Sequence, residues 1–405
     1  MNDAVVTGIG VTAPNGVGAA AYWDATLRGV SGIRQISRFD AGAYPVRLAG
    51  EVPSLGDEAR IPGKLLPQTD RVTRMALVAA DLAFTDAGVD PRSLPEYSAG
   101  VATSCTSGGL EFGQGELAKL WGRGWEHVSA YMSFAWYYAV NAGQISIMNE
   151  LRGPGGVLIS EQTGGLDSLG FARRQVRKGT AMMVTGGIEA TLCPYGVAIL
   201  ASARELSSSP DPERAYLPFD ADAAGYVPGE GGAIFVVEDR ERAEARGAWT
   251  YGSIAGYGAA FDPDTSSGCG LLRAARVALD DARVIVDDVD VVFADAAGTP
   301  ALDEAECATL TALFGPRGVP VSVPKTMTGR LSSGGSALDV AAALLSMRDG
   351  VIPPAVHVRR DTVDARIDLI AGAPRRAALD VALVLSRGRG GFASAVVLSK
   401  GGGRR

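Results

Sequence analysis

Short apolar stretches alternate with amphipathic stretches along most of the chain. Residues VVTGIGV (5–11) have the run of apolar positions typical of a buried strand. The next long stretch, ALVAADLAFTDAGVD (76–90), has apolar positions at helical spacing, and AGVATS (99–104) again has the pattern of a strand. This alternation predicts a layered α/β fold.

The same order of stretches returns in the second half of the chain. SIAGYGA (253–259) repeats the first strand together with its Gly-x-Gly pattern. RAARVALDDARVIVD (273–287) repeats the helix, and VDVVFAD (289–295) repeats the second strand. The return of these three stretches in the same order indicates an internal duplication.

The chain has 405 residues, which is enough for two domain-sized cores. Between the two sets of echoes lies a charged stretch, ERAEARGAW, in which Gly247 is a helix-ending signal. We therefore expect an N-terminal half at residues 1–247 and a similar C-terminal half at residues 248–405.

The composition limits the partners, metal sites and cellular location that we expect for this chain. The net charge is −7 and the isoelectric point is about 5.1, so we expect neither a nucleic acid nor an anionic membrane as partner. The sequence has no signal-peptide pattern and no apolar run of about 18 residues, so we expect no membrane span. The scattered cysteines lack metal-ligand spacing, which predicts no metal site and favours a reducing, cytoplasmic location. The four cysteines are Cys105, Cys193, Cys269 and Cys307.

One stretch has the form of a catalytic platform without its nucleophile. In LISEQTGGLDSLG (158–170) an apolar strand runs into a turn and an apolar-periodic helix follows. Enzymes place nucleophiles at such turns because a helix N-terminus favours negative charge. The apex here is Gln162, whose amide neither attacks nor titrates near neutral pH.

Four further blocks resemble those of the ketosynthases, the condensing enzymes of fatty-acid and polyketide synthesis. The family blocks PFD…GEGAG, HGTGT…D..E, K-S-x-x-G-H and GFGGxNSA are matched in order by PFD…GYVPGEGGA (218–233), AGTPALDEAE (297–306, with Gly298, Thr299, Asp303 and Glu306), KTMTGR (325–330) and GRGGFASA (388–395). The resemblance covers essentially the whole chain. It implies the thiolase fold, with two similar layered α/β halves in five layers, αβαβα.

This chain departs from the ketosynthases at all three catalytic positions. The resemblance places Gln162 where the family has its cysteine, and Asp295 and Arg330 where it has two histidines. Ionised Asp295 cannot donate a hydrogen bond to a developing enolate. Arg330 stays protonated, so it cannot act as a base. Three losses together indicate a retired condensing site.

This pattern, with Gln in EQTGGLD, resembles the chain length factors, the ketosynthase beta subunits of type II polyketide synthases. The resemblance implies a heterodimer with a ketosynthase alpha subunit, in which a polyketide grows within a tunnel at the shared interface. Substrates would arrive on the phosphopantetheine of an acyl carrier protein, and the chain itself would need no cofactor. Because such carrier proteins are acidic, the charge of −7 favours docking on the partner. Aromatic and reduced polyene products both remain open.

The resemblance also points to tunnel and supporting residues. Leu110, Gly113 and Leu117 lie at i, i+3 and i+7 on one helical face, where chain length factors carry the gate at the tunnel end. Their small size predicts a roomy tunnel. Lys325 and Glu306 match a supporting pair of the family. The candidate contacts across the dimer are aromatic and apolar, namely Tyr131, Met132, Phe134 and Trp136.

Alternatives remain open at this stage. Cys105, in SCTSGG (104–109), would be the nucleophile of an active acyltransferase, or a buried structural thiol. A regulatory or scaffold homodimer that binds acyl groups is a third class. For Gln162 the alternatives are a role in decarboxylating malonyl-carrier protein to prime synthesis and a merely space-filling role. Asp295 and Arg330 are expected to pair, because a lone buried charge is costly.

Overall fold

The computed structural model describes residues 3–56 and 60–400. The helices are numbered here in chain order. They are α1 Ala19–Leu27, α2 Arg71–Ala87, α3 Leu110–Arg123, α4 Met132–Ala135, α5 Val140–Met148, α6 Gly164–Arg177, α7 Pro194–Ser202, α8 Arg240–Ala245, α9 Cys269–Ala282, α10 Pro300–Phe314 and α11 Ser333–Asp349.

The strands match the predicted pattern, with longer first strands in each half. They are β1 Ala4–Ala13, β2 Gly16–Val17, β3 Ile33–Gln35, β4 Leu48–Gly50, β5 Ala99–Ser104, β6 Gly155–Leu158, β7 Met182–Glu189, β8 Gly231–Asp239, β9 Gly252–Phe261, β10 Val291–Phe293, β11 Pro320–Ser322, β12 Val351–Ile352, β13 Asp368–Leu369, β14 Arg375–Arg376, β15 Val381–Arg387 and β16 Phe392–Ser399.

The two halves have the same strand order. From the centre outward the main sheet runs β1-β8-β7-β5-β6 on one side and β9-β16-β15-β10-β11 on the other. Counted along the chain, the first of these five strands is central in each half, the fifth and fourth follow, and the second and third come next. In the second half the short strand β13 then pairs with β11 at the edge. The halves join where β1 pairs antiparallel with β9, through Val5↔Ser253 and Val6↔Gly252. This shared order is the structural form of the repeat seen in the sequence.

The repeated glycines in the first strands have the same role in each half. A Cβ on Gly10 of β1 would lie 1.8 Å from the carbonyl oxygen of Ala79 in α2. A Cβ on Gly258 of β9 would lie 2.1 Å from the carbonyl oxygen of Ala274 in α9. Each outer helix therefore packs directly on the backbone of its first strand, and glycine is required for that close approach.

Two central helices, α6 and α11, each pack against strands from both halves of the main sheet. Helix α6 packs against α11, and a Cβ on Gly165 would lie 2.6 Å from the backbone nitrogen of Ala337. Helix α11 is buried from Ser333 to Met347, which explains its lack of a polar face. With α2 and α9 outside, the layers are αβαβα, so the predicted thiolase fold is confirmed. Among the described residues, no helix is both long and apolar enough to cross a membrane.

Candidate functional site: a buried ion cluster beside a strand-to-helix turn

The platform predicted around Gln162 is present. Strand β6 ends at Leu158, a 3-10 turn covers Glu161–Thr163, and α6 begins at Gly164. Glu161 has a φ of 54°, a left-handed conformation that is uncommon outside glycine. A Cβ on Gly164 would lie 1.9 Å from Ser104 Oγ, so the turn fits tightly onto β5.

Gln162 is buried, with 1% of its surface exposed. Its backbone carbonyl accepts a hydrogen bond of 2.6 Å from Ser336 Oγ. Its side chain lies against α11, because a Cβ built on Gly335 would be 2.5 Å from the Gln162 Nε2. Within residues 3–56 and 60–400, that Nε2 has no hydrogen-bond partner. The side chain thus fills space at the apex but leaves one donor unused.

Asp295 and Arg330 pair as expected, and a second arginine joins them. Arg330 Nη2 lies 3.1 Å from Asp295 Oδ1, and Arg387 Nε lies 3.1 Å from Asp295 Oδ2. The backbone nitrogen of Arg387 also donates to Asp295 Oδ1 at 3.0 Å. Arg330 further donates to the carbonyl oxygen of Asp295 at 2.8 Å. The carboxylate is therefore held by two guanidinium groups in a fully buried position.

This arrangement fixes the protonation states of both partners. Burial alone would raise the pKa of Asp295, but the charges of Arg330, Arg387 and Lys325 hold it well below its usual value of 3.8. Burial opposes the charge of Arg330, but Asp295 raises its pKa above the usual value. Near neutral pH the pair is a carboxylate and a guanidinium, so neither exchanges a proton with a substrate.

The two predicted supporting residues hold the backbone at Asp295 but do not pair with each other. Glu306 accepts hydrogen bonds of 2.8 Å from the backbone nitrogens of Asp295 and Ala296. Lys325 Nζ donates to the carbonyl oxygens of Ala294 and Asp295 at 2.8 and 3.0 Å. Together they clamp the chain that leaves β10.

The ion-pair partners of these two residues lie on other elements. Lys325 Nζ pairs with Asp339 of α11 at 2.7 Å, whereas Glu306 pairs with Arg387 at 3.0 Å. Lys325 and Glu306 therefore have separate counter-ions, one on α11 and the other at the end of β15.

A small cavity remains beside the cluster. Its volume is about 260 Å³, below the roughly 300–1,000 Å³ of typical small-molecule pockets. Arg389, at the phenylalanine position of the family block GFGGxNSA, donates to Tyr226 Oη at 2.7 Å and pairs with Glu205 at 3.3 Å. The cavity is lined by side chains of both charges, including Glu161, Glu205, Asp295, Arg330, Arg387 and Arg389.

Several non-glycine residues around the cluster have left-handed backbone conformations. Ala296, next to Asp295, has a φ of 50°, and Ser332, two residues after Arg330, has a φ of 44°. Phe219, which donates its backbone N–H to Asp303, has a φ of 62°. Such strained positions concentrate at functional sites. The backbone therefore has the form of a functional site, although the side chains form a closed ion cluster.

Cys105 has the properties of a structural thiol. It is 1% exposed, and its Sγ lies 3.6 Å from Glu189 Oε1. Burial, together with the charge of Glu189, raises the pKa of the thiol well above its usual value of 9.0. A reactive cysteine needs a lowered pKa and access to substrate. These observations argue against the acyltransferase alternative.

The predicted gate residues lie on the first turns of α3. Gly113 is buried, Leu110 is half-buried, and Leu117 is 41% exposed. A Cβ on Gly113 would lie 3.5 Å from Trp136 Cβ and 3.9 Å from Met132 Cε. The gate helix therefore faces the segment predicted to contact a partner.

That segment lies within an exposed aromatic surface. Tyr131 is 38% exposed and Trp136 is 49% exposed, whereas Met132 and Phe134 are half-buried. Two further tryptophans are exposed earlier in the chain, Trp121 within α3 at 83% and Trp125 just after α3 at 74%. Extended apolar surface of this kind marks an interaction site.

Among the described residues, no group of three or more His, Cys, Asp or Glu side chains could hold a metal ion.

Comparison with known proteins decides the family. Residues 1–243 match the Beta-ketoacyl synthase, N-terminal domain, and residues 251–359 match the Beta-ketoacyl synthase, C-terminal domain. The chain is 55% identical over 402 residues to the tetracenomycin polyketide synthase ketoacyl synthase beta subunit of Streptomyces glaucescens, covering 98% of both chains. This chain belongs to the beta subunits of the ketoacyl synthase family.

Solved structures agree with this family assignment. The ishigamide ketosynthase/chain length factor has a TM-score of 0.90 at 29% identity, over 99% of this chain and 100% of that one. A type II acyl carrier protein in complex with its hexaketide-bound ketosynthase, AntDE:AntF, includes a chain with a TM-score of 0.89. Its identity is 24%, over 99% of this chain and 100% of that one, so this likeness shows the fold alone. The resemblance to ketosynthase beta subunits is thereby confirmed.

Three contributors to the site were missed by the sequence reasoning. Arg387 and Arg389 both lie in SRGRGG, and the signal was visible as two arginines in a block that is otherwise small or apolar. Asp339 carries no such signal, because only the packing of α11 brings it to Lys325.

Proposed function

We propose that this chain is the non-condensing, chain-length-determining subunit of a type II polyketide synthase heterodimer. The partner ketosynthase carries out condensation, and this chain forms one wall of the tunnel in which the polyketide grows. The carrying observation is the ion cluster of Asp295, Arg330 and Arg387, in which Asp295 and Arg330 take the positions that the resemblance assigns to the family's two histidines. A site locked in this ionic form offers neither a nucleophile nor a proton donor that a condensation requires.

The surface of the chain supports pairing with a second subunit. Strand β6 lies at the end of the main sheet, and an edge strand offers unpaired backbone groups for another chain to extend. The same half also has exposed aromatic side chains, including Trp121, Trp125 and Trp136. The ishigamide relative is itself a ketosynthase/chain length factor pair. A ketosynthase alpha subunit is therefore the proposed partner for this surface.

The substrate would be delivered by a third protein. The acyl carrier protein would carry malonyl and polyketide groups on its phosphopantetheine, which enters the partner's active site. This chain would then need no cofactor and no metal. The small cavity of about 260 Å³ beside Arg330 agrees with a site that no longer admits the arm.

Gln162 has a second candidate role in priming. Its unpartnered Nε2 is a donor that could stabilise the enolate formed when a malonyl thioester loses carbon dioxide. With 1% of its surface exposed, Gln162 would have to become uncovered for this role. The tunnel role does not depend on it.

Co-expression tests the proposal against a homodimeric acyl-binding scaffold. We expect the chain to co-purify as a 1:1 complex with a type II ketosynthase when the two are co-expressed. With carrier protein and a malonyl donor, the complex should make polyketide that neither subunit makes alone. A soluble homodimer that does not bind the ketosynthase would contradict the proposal.

A further inference from the structure

The gate helix α3 begins without a capping side chain of its own. Its N-cap residue is Gly109, and Gly108 before it has a φ of 65°. A Cβ on Gly108 or Gly109 would lie 2.2 Å from the carbonyl oxygens of Trp136 or Ala135, respectively. Close packing on the 135–136 segment therefore requires glycine at this point, and glycine cannot satisfy the free N–H groups of the first turn.

A buried carboxylate from another helix supplies the missing cap. Asp70 is the N-cap of α2, where its Oδ1 accepts a hydrogen bond of 2.8 Å from the backbone nitrogen of Val72. Its Oδ2 accepts a bond of 2.8 Å from the backbone nitrogen of Phe112, in the first turn of α3. Asp70 is 2% exposed, so one carboxylate caps two helices away from solvent.

A second buried carboxylate holds the segment just before the helix. Glu189, at the end of β7, is fully buried, and its Oε2 accepts a hydrogen bond of 2.7 Å from the backbone nitrogen of Thr106. Its Oε1 lies 3.6 Å from the Cys105 thiol. The stretch from Cys105 to Phe112 is thus held at both ends by carboxylates that belong to different elements.

Both carboxylates are held at an energetic cost. Burial raises the pKa of Asp70 to about 6 and that of Glu189 to about 7, and the backbone N–H groups that they bind oppose this rise. A buried carboxylate is rare unless hydrogen-bond donors such as these backbone N–H groups surround it.

The far part of α3 has anchors of its own. Gln114 Oε1 accepts a hydrogen bond of 2.7 Å from the backbone nitrogen of Tyr195, and Glu116 Oε2 accepts one of 2.7 Å from that of Ser129. Loss of either buried carboxylate would therefore loosen the first turn of α3, which carries Leu110 and Gly113, more than the remainder of the helix.

We propose that Asp70 and Glu189 are positioning residues that fix the gate at the start of α3 and thereby sharpen the length of the product. This inference rests on the proposed function, because it assigns the first turn of α3 to the tunnel end. Each carboxylate acts through the backbone it holds and touches no substrate.

The variants Asp70→Asn and Glu189→Gln keep the shape of each side chain and replace one of its two acceptor oxygens by an NH2 group, which cannot accept a hydrogen bond. Asp239→Asn is the matched control, because Asp239 is 5% exposed and caps α8 through the backbone nitrogen of Arg242 at 3.3 Å. All three remove a buried or nearly buried carboxylate that holds a helix start or loop, but only two touch the gate.

Two readouts separate positioning from general stability. In hydrogen exchange on each purified variant, we expect amides in the 105–113 peptide to exchange about fivefold faster than in the wild type, with the 164–177 peptide unchanged. In the complex with a ketosynthase, mass spectrometry should show a broader distribution of product lengths, with total product within about twofold of the wild type. Asp239→Asn should change neither readout.

Unchanged exchange at 105–113 would overturn the anchoring role. Faster exchange with an unaltered product distribution, or an equal change in product length from Asp239→Asn, would overturn the role in product length. If the wild-type complex makes no polyketide, the proposed function fails and the length role fails with it, while the exchange result still decides whether Asp70 and Glu189 anchor α3.

Discussion

Arg330 Nη2 lies 3.1 Å from Asp295 Oδ1, and the resemblance to the ketosynthases assigns this pair to the two positions that carry histidines in that family. Arg387 Nε, at 3.1 Å from the other carboxylate oxygen, makes the pair a triad. Where the resemblance predicts two histidines that exchange protons, this chain has side chains whose charges are fixed near neutral pH. Such a cluster stabilises a closed site and has no capacity for general acid–base chemistry.

The triad makes Asp295 important for stability. Asp295→Asn would leave Arg330 buried without its counter-ion, and breaking a buried pair from one side costs about 3–5 kcal/mol. We expect that loss in the free energy of unfolding from denaturant titration. The control is Asp81→Asn, which removes a surface pair with Arg60 whose side chains are 41% and 39% exposed and should cost about 0–1 kcal/mol. Equal losses in both variants would refute the account of the triad.

The same carboxylate gives a pH dependence of definite sign. The pKa of Asp295 lies below its ordinary value of 3.8 in the folded chain, so folding favours the ionised form. Its contribution is therefore fully present above about pH 4 and is lost as the pH falls towards the folded pKa. The stability difference between the wild type and Asp295→Asn should shrink in titrations from pH 5 towards pH 3. A difference that grows on acidification would contradict this sign.

The gate predicts a direction for product length. Leu110→Phe and Gly113→Trp should shorten the product by at least one two-carbon unit, because each adds bulk at the proposed tunnel end. Gly113→Ala is the matched control, since a Cβ there would meet Trp136 at 3.5 Å, an ordinary contact. Mass spectrometry of products from the reconstituted complex provides the measurement. Equal product lengths from wild type and both bulky variants would remove Leu110 and Gly113 from the gate.

The priming role of Gln162 has its own test. Gln162→Ala removes the unpartnered amide and should lower product yield under limiting starter supply, while the product length stays the same. Addition of acyl carrier protein that already holds the starter acyl group should restore the yield if priming is the lost step. An unchanged yield under limiting starter would leave Gln162 with only a space-filling role.

Cysteine reactivity distinguishes this account from a Cys105 acyltransferase. Cys105 is buried with a raised pKa, whereas Cys269 is exposed. Brief treatment of the native protein with iodoacetamide should therefore label Cys269 and leave Cys105 unmodified. Labelling of Cys105 by an acyl-thioester probe would revive the acyltransferase alternative.

The repeat and the Asp295–Arg330 pair could be predicted because each depends on local pattern or on a family block. The Gly-x-Gly of β1 and β9 indicated the duplication, and in the structure the same glycines allow the close approach of α2 and α9. The counter-ions of Glu306 and Lys325 could not be predicted in this way. Arg387 and Asp339 reach them through the packing of β15 and α11, which no spacing in the sequence encodes.

The anchors of the gate escaped the sequence reasoning for a related reason. Asp70 reads as an ordinary N-cap of α2, and its second bond to Phe112 exists only because α3 begins against it. Glu189 follows an apolar strand with no visible partner, since Thr106 is 83 residues away along the chain. Local sequence patterns therefore identify helices and strands, whereas the contacts that anchor an element to distant parts of the chain are seen only in the structure.

The most direct test of the central claim is where acyl groups become attached and which subunit condenses them. The reconstituted complex should be incubated with acyl-carrier protein and a malonyl donor, and the intact mass of each subunit measured. We predict acyl adducts on the ketosynthase only, and loss of all polyketide when the nucleophilic cysteine of the ketosynthase is replaced by alanine. An acyl adduct on this chain, or product formation by that variant complex, would contradict the account.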